Sequence, residues 1–220
     1  MPEILPSLFA ADIMNLQQAC KDLETEGFKK LHVDMMDGQF VPYIAFGTEQ
    51  IKQVKQAVNM ELDVHLMVKN PEQKIAGLIE MGAEMISVHI ESTPHIRFVL
   101  EEIKKGGRKA GVVLNPGTDT SLIKPLLNTI DYVLLMSINP GRSNQKFIEE
   151  TIDRIKEVNE LIGSRNIEIE VDGSVNASTA KKCIDAGASI IVIGSYLFAD
   201  NQQNFSLLKQ LEEERELKEQ

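Results

Sequence analysis

Cysteine is almost missing from this chain: Cys20 and Cys183 are the only two in 220 residues. They are too few for a disulfide framework and lie outside any Cys-x-x-Cys spacing. No apolar stretch approaches the roughly 18 residues of a membrane span. The N-terminus MPEILPSLFAAD has no basic segment followed by an apolar run. No membrane is therefore expected as a partner, and the expected location is cytoplasmic. Basic residues are in deficit, with 23 Lys plus Arg against 33 Asp plus Glu and a net charge of −10. A chain this acidic repels phosphate backbones, which argues against nucleic acid as a partner and requires any anionic ligand to be held by a local site. Also absent is a glycine-rich fingerprint after the first apolar run, which ends in Ser7-Leu8-Phe9-Ala10-Ala11. That absence counts against an open, doubly wound nucleotide-binding sheet.

The composition itself is that of a folded protein. Hydrophobic residues are 43% and charged residues 25%, close to the soluble globular average and rich enough to build a sizeable core. Short apolar runs rich in Val and Ile recur at Ile4–Phe9, Lys30–Met35, Leu62–Val68, Met85–Ile90, Ala110–Leu114, Tyr132–Ile138, Ile167–Val171 and Ser189–Ile193. Several are apolar on both faces, as strands of a buried parallel sheet must be. Between them lie stripes of helical period: Ile13, Leu16, Cys20 and Leu23; Ile51, Val54 and Val58; Ile96, Val99, Leu100 and Ile103; Ile148, Ile152, Ile155 and Val158. Asn70-Pro71 and Thr93-Pro94 read as N-caps followed by Pro at the first helical position. Gly27, Gly82, Gly106 and Gly187 stand where helices should stop. The runs repeat about every 26 residues, the length of one βα unit, and no linker interrupts them. The expected fold is α/β, a single (β/α)8 TIM barrel spanning residues 1–220. The terminal segment Leu208 to Gln220, dense in Glu and Lys, reads as a solvated helix end.

In such barrels the working residues sit at the C-terminal ends of the strands. Those ends are polar here: Ser7, His32-Val33-Asp34, Asp63-Val64-His65, His89 and Glu91, Asn115, Asn139, Glu170-Val171-Asp172 and Gly194-Ser195. Side chains two apart on a strand share a face, so His32 pairs with Asp34, Asp63 with His65, and Glu170 with Asp172. Burying several carboxylates and imidazoles together is costly unless they are paired or bound to a cation. Hydrogen-bonded structural residues are one reading. The other is a divalent metal site, whose mixed nitrogen and oxygen donors suit Zn, Fe, Mn or Co better than Mg or Ca. His95 fits neither and reads as a solvent-facing residue at a helix start.

Glycines placed for an anion form a second group. Asp172-Gly173-Ser174 follows the seventh run, Gly194-Ser195 follows the eighth, and Asn139-Pro140-Gly141-Arg142-Ser143-Asn144-Gln145 follows the sixth. Loops after the last strands of a barrel commonly hold phosphate through closely approaching backbone N–H groups. Met36, Met67 and Met136 lie at strand ends as well; near a reacting carbon they would form an apolar, water-excluding wall.

Taken together, these segments resemble the ribulose-phosphate 3-epimerase family. Leu31-His32-Val33-Asp34-Met35-Met36-Asp37-Gly38-Gln39-Phe40-Val41-Pro42 looks like its second-strand signature, and Asp63-Val64-His65-Leu66-Met67-Val68 its third. His89-Ile90-Glu91, Leu114-Asn115-Pro116, Glu170-Val171-Asp172-Gly173 and Gly194-Ser195 follow in collinear order, so the resemblance covers roughly residues 3 to 200. It implies one divalent metal ion held by His32, Asp34, His65 and Asp172. It implies Asp34 and Asp172 as the acid/base pair, Ser7 and His65 as substrate contacts, and the three methionines as an apolar cap. Gly141, Arg142, Ser143, Asn144, Gly173, Ser174, Gly194 and Ser195 are the expected remaining substrate-binding residues. The implied reaction is epimerisation at C3 of a ketose phosphate, D-ribulose 5-phosphate to D-xylulose 5-phosphate, by two carboxylates through a metal-stabilised enediolate. The resemblance also implies a homo-oligomer.

The chain departs from the family pattern in two loops. Where the family usually reads Pro-Gly-Phe-Gly-Gly-Gln, this chain has Pro140-Gly141-Arg142-Ser143-Asn144-Gln145, and Ser174 replaces a second glycine after Asp172-Gly173. Asn tolerates positive φ, so Asn144 is expected to keep the loop shape. Asp172-Gly173-Ser174-Val175-Asn176 is similar to the corresponding segment of allulose-6-phosphate 3-epimerases, which leaves D-allulose 6-phosphate as the alternative substrate. The altered loops also leave open a sugar-phosphate-binding barrel without catalysis. A decarboxylase of the orotidine-phosphate type is disfavoured, because its Asp-x-Lys-x-x-Asp frame is occupied here by His32, Asp34 and Asp37, with no lysine.

Overall fold

Strands and helices alternate along the computed structural model, which describes residues 2–142 and 144–199. The strands are β1 (Glu3–Pro6), β2 (Lys30–Asp37), β3 (Ile44–Ala45), β4 (Glu61–Met67), β5 (Met85–His89), β6 (Lys109–Leu114), β7 (Tyr132–Met136), β8 (Glu168–Asp172) and β9 (Ile190–Ile193). Their order in the sheet is β1-β9-β8-β7-β6-β5-β4-β2-β3. Every pairing is parallel except that of β3, a two-residue return strand lying antiparallel to the end of β2. A parallel bridge between Ser7, just past β1, and His32 of β2 joins the two ends of the ring. The fold is the expected TIM barrel, with eight strands in the wall and β3 as an appendage. Among the described residues, no helix is long and apolar enough to cross a membrane.

Alternation along the strands divides the core. Residues such as Leu31, Val33, Leu62, Val64, Ile86, Val112, Val133 and Val171 point outward and are fully buried against the helices. The helices are α1 (Leu16–Thr25), α2 (Thr48–Ala57), α3 (Glu72–Glu80), α4 (Ile96–Lys105), α5 (Thr151–Ile162), α6 (Ala177–Ala186) and α7 (Ser195–Ala199). Each long one meets the barrel through its apolar stripe, for example Val99, Leu100 and Ile103 of α4. The predicted stop glycines all lie at helix ends. Inside the ring, Leu5, Met85, Tyr132, Ile190 and Val192 pack into an apolar plug at the N-terminal end. The polar residues stack above that plug.

Several local expectations need correction. The first apolar run does not stay a strand to Phe9: β1 stops at Pro6, and the Ser7 hydroxyl accepts from Phe9 N to start a 3-10 turn over Leu8–Ala10. Ile13 does not join the buried stripe of α1; Asp12 caps a separate 3-10 turn and leaves Ile13 65% exposed. Asn70 is no N-cap, because its φ of +55° places it in the left-handed region before α3. After β6 the α-helix is replaced by a 3-10 segment, Thr120–Leu126, containing Pro125, which lacks the amide hydrogen that a longer helix would use. The expectations for Ser143 and for Leu208 to Gln220 lie outside the described residues.

Candidate active site at the barrel mouth

The register of the sheet brings the predicted residues together. Asp34 is level with His65 across the β2–β4 pair, and His32 with Asp63. One donor atom from each of His32, Asp34, His65 and Asp172 falls within 4.8 Å of the others. His32 Nε2 is 3.3 Å and His65 Nδ1 3.3 Å from Asp34 Oδ1. The same two nitrogens lie 3.9 and 3.8 Å from Asp172 Oδ2. Both nitrogens are buried, yet neither has a hydrogen-bond partner. Buried polar atoms without partners are rare and call for a ligand. Two imidazole nitrogens and two carboxylates converging on one point are a donor set that fits a divalent metal, so the cluster could hold one.

The surrounding groups fix these side chains. Ser7 Oγ donates to Asp34 Oδ2 at 2.9 Å. Beneath the cluster, His32 Nδ1 meets Asp63 Oδ2 at 2.6 Å, and the Tyr132 hydroxyl donates to Asp63 Oδ1 at 3.0 Å. Glu170 Oε1 is 3.3 Å from His32 Nδ1. On the other side, His65 Nε2 lies 2.8 Å from His89 Nε2, and His89 Nδ1 lies 3.2 Å from Glu91 Oε2.

Burial and charge set these groups apart electrostatically. Burial opposes the charge of His32, but Asp34 and Asp63 outweigh it and hold the imidazole well above its ordinary value. Burial likewise opposes ionisation of Asp34, which His32 and His65 overcome, keeping it well below the carboxylate range. Asp172 goes the other way: burial and the nearby Asp34 carboxylate push it up to about 6. Burial and Asp63 also raise Glu170, favouring its neutral form. His89 is lowered to about 4, chiefly by burial, so it is neutral at physiological pH.

Above the cluster opens a cavity of about 790 Å³. Ser7, Asp34 and Asp172 line it, as do Met36, Met67 and Met136. Gly141, Arg142, Asn144, Gly173, Ser174, Gly194 and Ser195 of the predicted set also lie on its walls. His32 and His65 are fully buried below it and are not among its lining residues. His95 is exposed at the start of α4, as expected. Phe9, Ile138, Gln145, Val175, Asn176 and Tyr196 also line the cavity, although the sequence reading gave them no site role. Of these, Gln145 had a signal, since it closes the turn that begins at Asn139. Its amide Nε2 donates to the carbonyls of Asn139 and Arg142.

Two glycines are required by space as well as by backbone. Gly141 has φ +65°, and a Cβ there would collide with the Val41 side chain. Gly173 has φ +122°, and its Cβ would come within 2.5 Å of Ile138 Cγ1. The two replaced glycine positions keep the left-handed backbone without glycine: Asn144 has φ +57° and Ser174 φ +52°. The Ser174 hydroxyl donates to Gln145 O at 2.7 Å, tying the β8 loop to the β7 loop.

Comparison with known proteins shows the family and the fold. Residues 3–198 match the ribulose-phosphate 3 epimerase family. The chain is 40% identical to a Bacillus subtilis ribulose-phosphate 3-epimerase over 206 residues, covering 92% of this chain and 95% of that protein. It is 42% identical to one from Aquifex aeolicus, covering 90% of each. Among solved structures, a mutant tryptophan synthase α-subunit from Pyrococcus furiosus superposes with a TM-score of 0.65 at 17% identity, covering 97% of this chain and 98% of that one. At that identity the likeness is one of fold.

Proposed function

The chain belongs to the ribulose-phosphate 3-epimerase family, and from that premise we propose that it interconverts D-ribulose 5-phosphate and D-xylulose 5-phosphate. The observation that carries this reading is the pair of carboxylates, Asp34 and Asp172, flanking the two partnerless imidazole nitrogens at the foot of the cavity. Inverting C3 requires taking a proton from one face of the carbon and returning one to the other. Two carboxylates whose environments push their proton affinities apart suit that task. Asp34, held ionised, takes the C3 proton. Asp172, pushed up to about 6 by burial and Asp34, has the higher proton affinity of the two and is the one suited to deliver a proton from the opposite side. In the reverse direction their roles exchange.

His32, Asp34, His65 and Asp172 are the residues that would hold a divalent metal, with Zn, Fe, Mn or Co suited to the donor set. Such an ion, when bound, acts as a Lewis acid that stabilises negative charge developing on the substrate oxygens. Ser7 holds Asp34 in place through the 2.9 Å hydrogen bond and faces the substrate. The three methionines exclude water from the reacting carbon. Gly141, Arg142, Ser143, Asn144, Gly173, Ser174, Gly194 and Ser195 bind the phosphate end, with Arg142 adding positive charge to a chain of net charge −10.

The test follows the C3 proton by NMR in D2O, with metal-reconstituted protein given ribulose 5-phosphate and, separately, allulose 6-phosphate. Solvent exchange with epimer formation is expected for ribulose 5-phosphate. Faster turnover of allulose 6-phosphate would move the substrate to the hexulose, and exchange of neither by metal-loaded folded protein rejects the reading.

A further inference from the structure

A histidine reaches a metal through one ring nitrogen, and what the other nitrogen meets decides which one is available. For His32 the answer is direct: Nδ1 donates to the Asp63 carboxylate at 2.6 Å, leaving Nε2 for the cluster. His65 has no carboxylate behind it. Its Nε2 lies 2.8 Å from Nε2 of another imidazole, His89. Either ring could be the donor across that contact, so this pair alone does not place the hydrogen.

One residue further out, the ambiguity ends. His89 Nδ1 is hydrogen-bonded to Glu91 Oε2 at 3.2 Å, and an ionised carboxylate only accepts. The hydrogen of a neutral His89 is therefore on Nδ1, and its Nε2 carries a lone pair. The hydrogen between the two rings then belongs to His65 Nε2. His65 Nδ1 is left unprotonated, facing Asp34 and Asp172. The opposite assignment would set the His89 Nδ1 lone pair against the Glu91 carboxylate. Asp34 Oδ1, 3.3 Å from His65 Nδ1, pulls toward that opposite assignment, but the contact falls outside hydrogen-bond geometry and weighs less than the formed hydrogen bond between His89 and Glu91.

Glu91 is itself fixed. Asn115 N donates to its Oε1 at 2.9 Å and the Thr118 hydroxyl donates to the same oxygen, which leaves Oε2 for His89. The rings are held too: His65 and His89 stack at 4.9 Å between centroids, and Phe40 covers His89 at 4.8 Å. We infer that His89 and Glu91 are positioning residues that hold His65 in the tautomer with Nδ1 free for a metal. This rests on the reading of His65 as a metal ligand. Metal-bound histidines usually donate their second nitrogen to a carboxylate, carbonyl or water; here a second imidazole stands between ligand and carboxylate.

The experiment uses the full chain labelled with 15N and stripped of metal, with long-range 1H–15N correlations of the His65 ring followed during titration with Zn2+. In the wild type, Nε2 should carry the hydrogen, and the Nδ1 resonance should move on adding zinc. A wild-type His65 protonated at Nδ1 overturns the inference without any variant. Glu91→Ala should give a mixture of His65 tautomers and weaken zinc binding about 10–100-fold. Glu91→Gln keeps an acceptor oxygen and should recover the wild-type tautomer and most of the affinity. A Glu91→Ala protein of lowered melting temperature, with His65 tautomer and zinc affinity unchanged, would show a purely structural role and reject the inference. Failure of the underlying metal reading looks different: His65 Nδ1 would not respond to zinc even in the wild type, and the positioning role would fall with it.

Discussion

The floor and the rim of the cavity are built by different means. On the floor, His32, Asp34, His65 and Asp172 sit on strands, and the register of β2, β4 and β8 sets their separations. His32, Asp34 and His65 are each held by a side chain from another strand or its end, Asp63, Ser7 and His89 respectively. On the rim, the backbone after β7 and β8 is shaped locally, by Asn144 and Ser174 in left-handed conformations and by the hydrogen bonds of Gln145 and Ser174. Register is a property of the whole sheet, whereas a turn can be rebuilt with a few residues. The departures from the family pattern fall on the rim, where a change is expected to alter binding while leaving Asp34 and Asp172 in place.

The largest separation between the two regions should come from the floor. Asp34→Asn and Asp172→Asn should each lower kcat by about 10²–10⁴-fold, with far-UV circular dichroism unchanged. Near-normal turnover in either variant would break the assignment of chemistry to the floor. At the rim, Gly173→Ala forces a side chain into Ile138 at φ +122° and should cost about 1–3 kcal/mol of stability, read from the denaturation midpoint. An unchanged midpoint would mean that this loop is not held as tightly as its contacts suggest.

Arg142→Ala should act on binding alone. KM for ribulose 5-phosphate should rise about threefold to tenfold at low salt with kcat unchanged, and the difference should shrink as salt screens the charge. A fall in kcat with KM unmoved would place Arg142 with the floor instead. The smallest effect should come from Asp37, outside both regions, which ties the loop after β2 to the loop after β4 by accepting from the amides of Gln39, Phe40 and Lys69. Burial opposes its charge, but those amides outweigh it and depress its pKa. Its stabilisation is therefore present above the unfolded value of about 4 and lost as the pH falls through the depressed folded value. Asp37→Asn should cost about 1 kcal/mol at neutral pH, discounted for exposure. The cost should vanish in acid, as followed by urea unfolding across the pH range.

The floor was more legible in the sequence than the rim. Alternation along a strand is a strict period of two, so His32-x-Asp34, Asp63-x-His65 and Glu170-x-Asp172 could be placed on one face before any coordinates. The sequence reading did not assign the layering: that Asp63 would lie beneath His32, that Tyr132 would reach it from across the barrel, or that His89 would back His65. Such contacts depend on shear around the ring, which no local period encodes. Local turn chemistry misled at Phe9, where apolar continuity read as strand and the Ser7 hydroxyl turned the chain. It misled again at Asn70, because Asn serves both helix caps and left-handed turns. At Asn144 the same tolerance of positive φ gave the correct reading.

The seam between β1 and β2 carries a last consequence. It carries the backbone bridge from Ser7 to His32, with the Glu3–Lys30 ion pair of 2.7 Å at its lower end and the hydrogen bond from Ser7 to Asp34 at its upper end. The bridging residues and Asp34 all belong to the site, so the place where the first strand meets the second is also where the donor set is assembled. Folding intermediates in which the ring is still ajar would lack the pocket altogether, and anything clasped by Ser7 and Asp34 would act as a fastener on the barrel. Occupancy of the pocket and closure of the cylinder are in this sense one equilibrium, read from two directions.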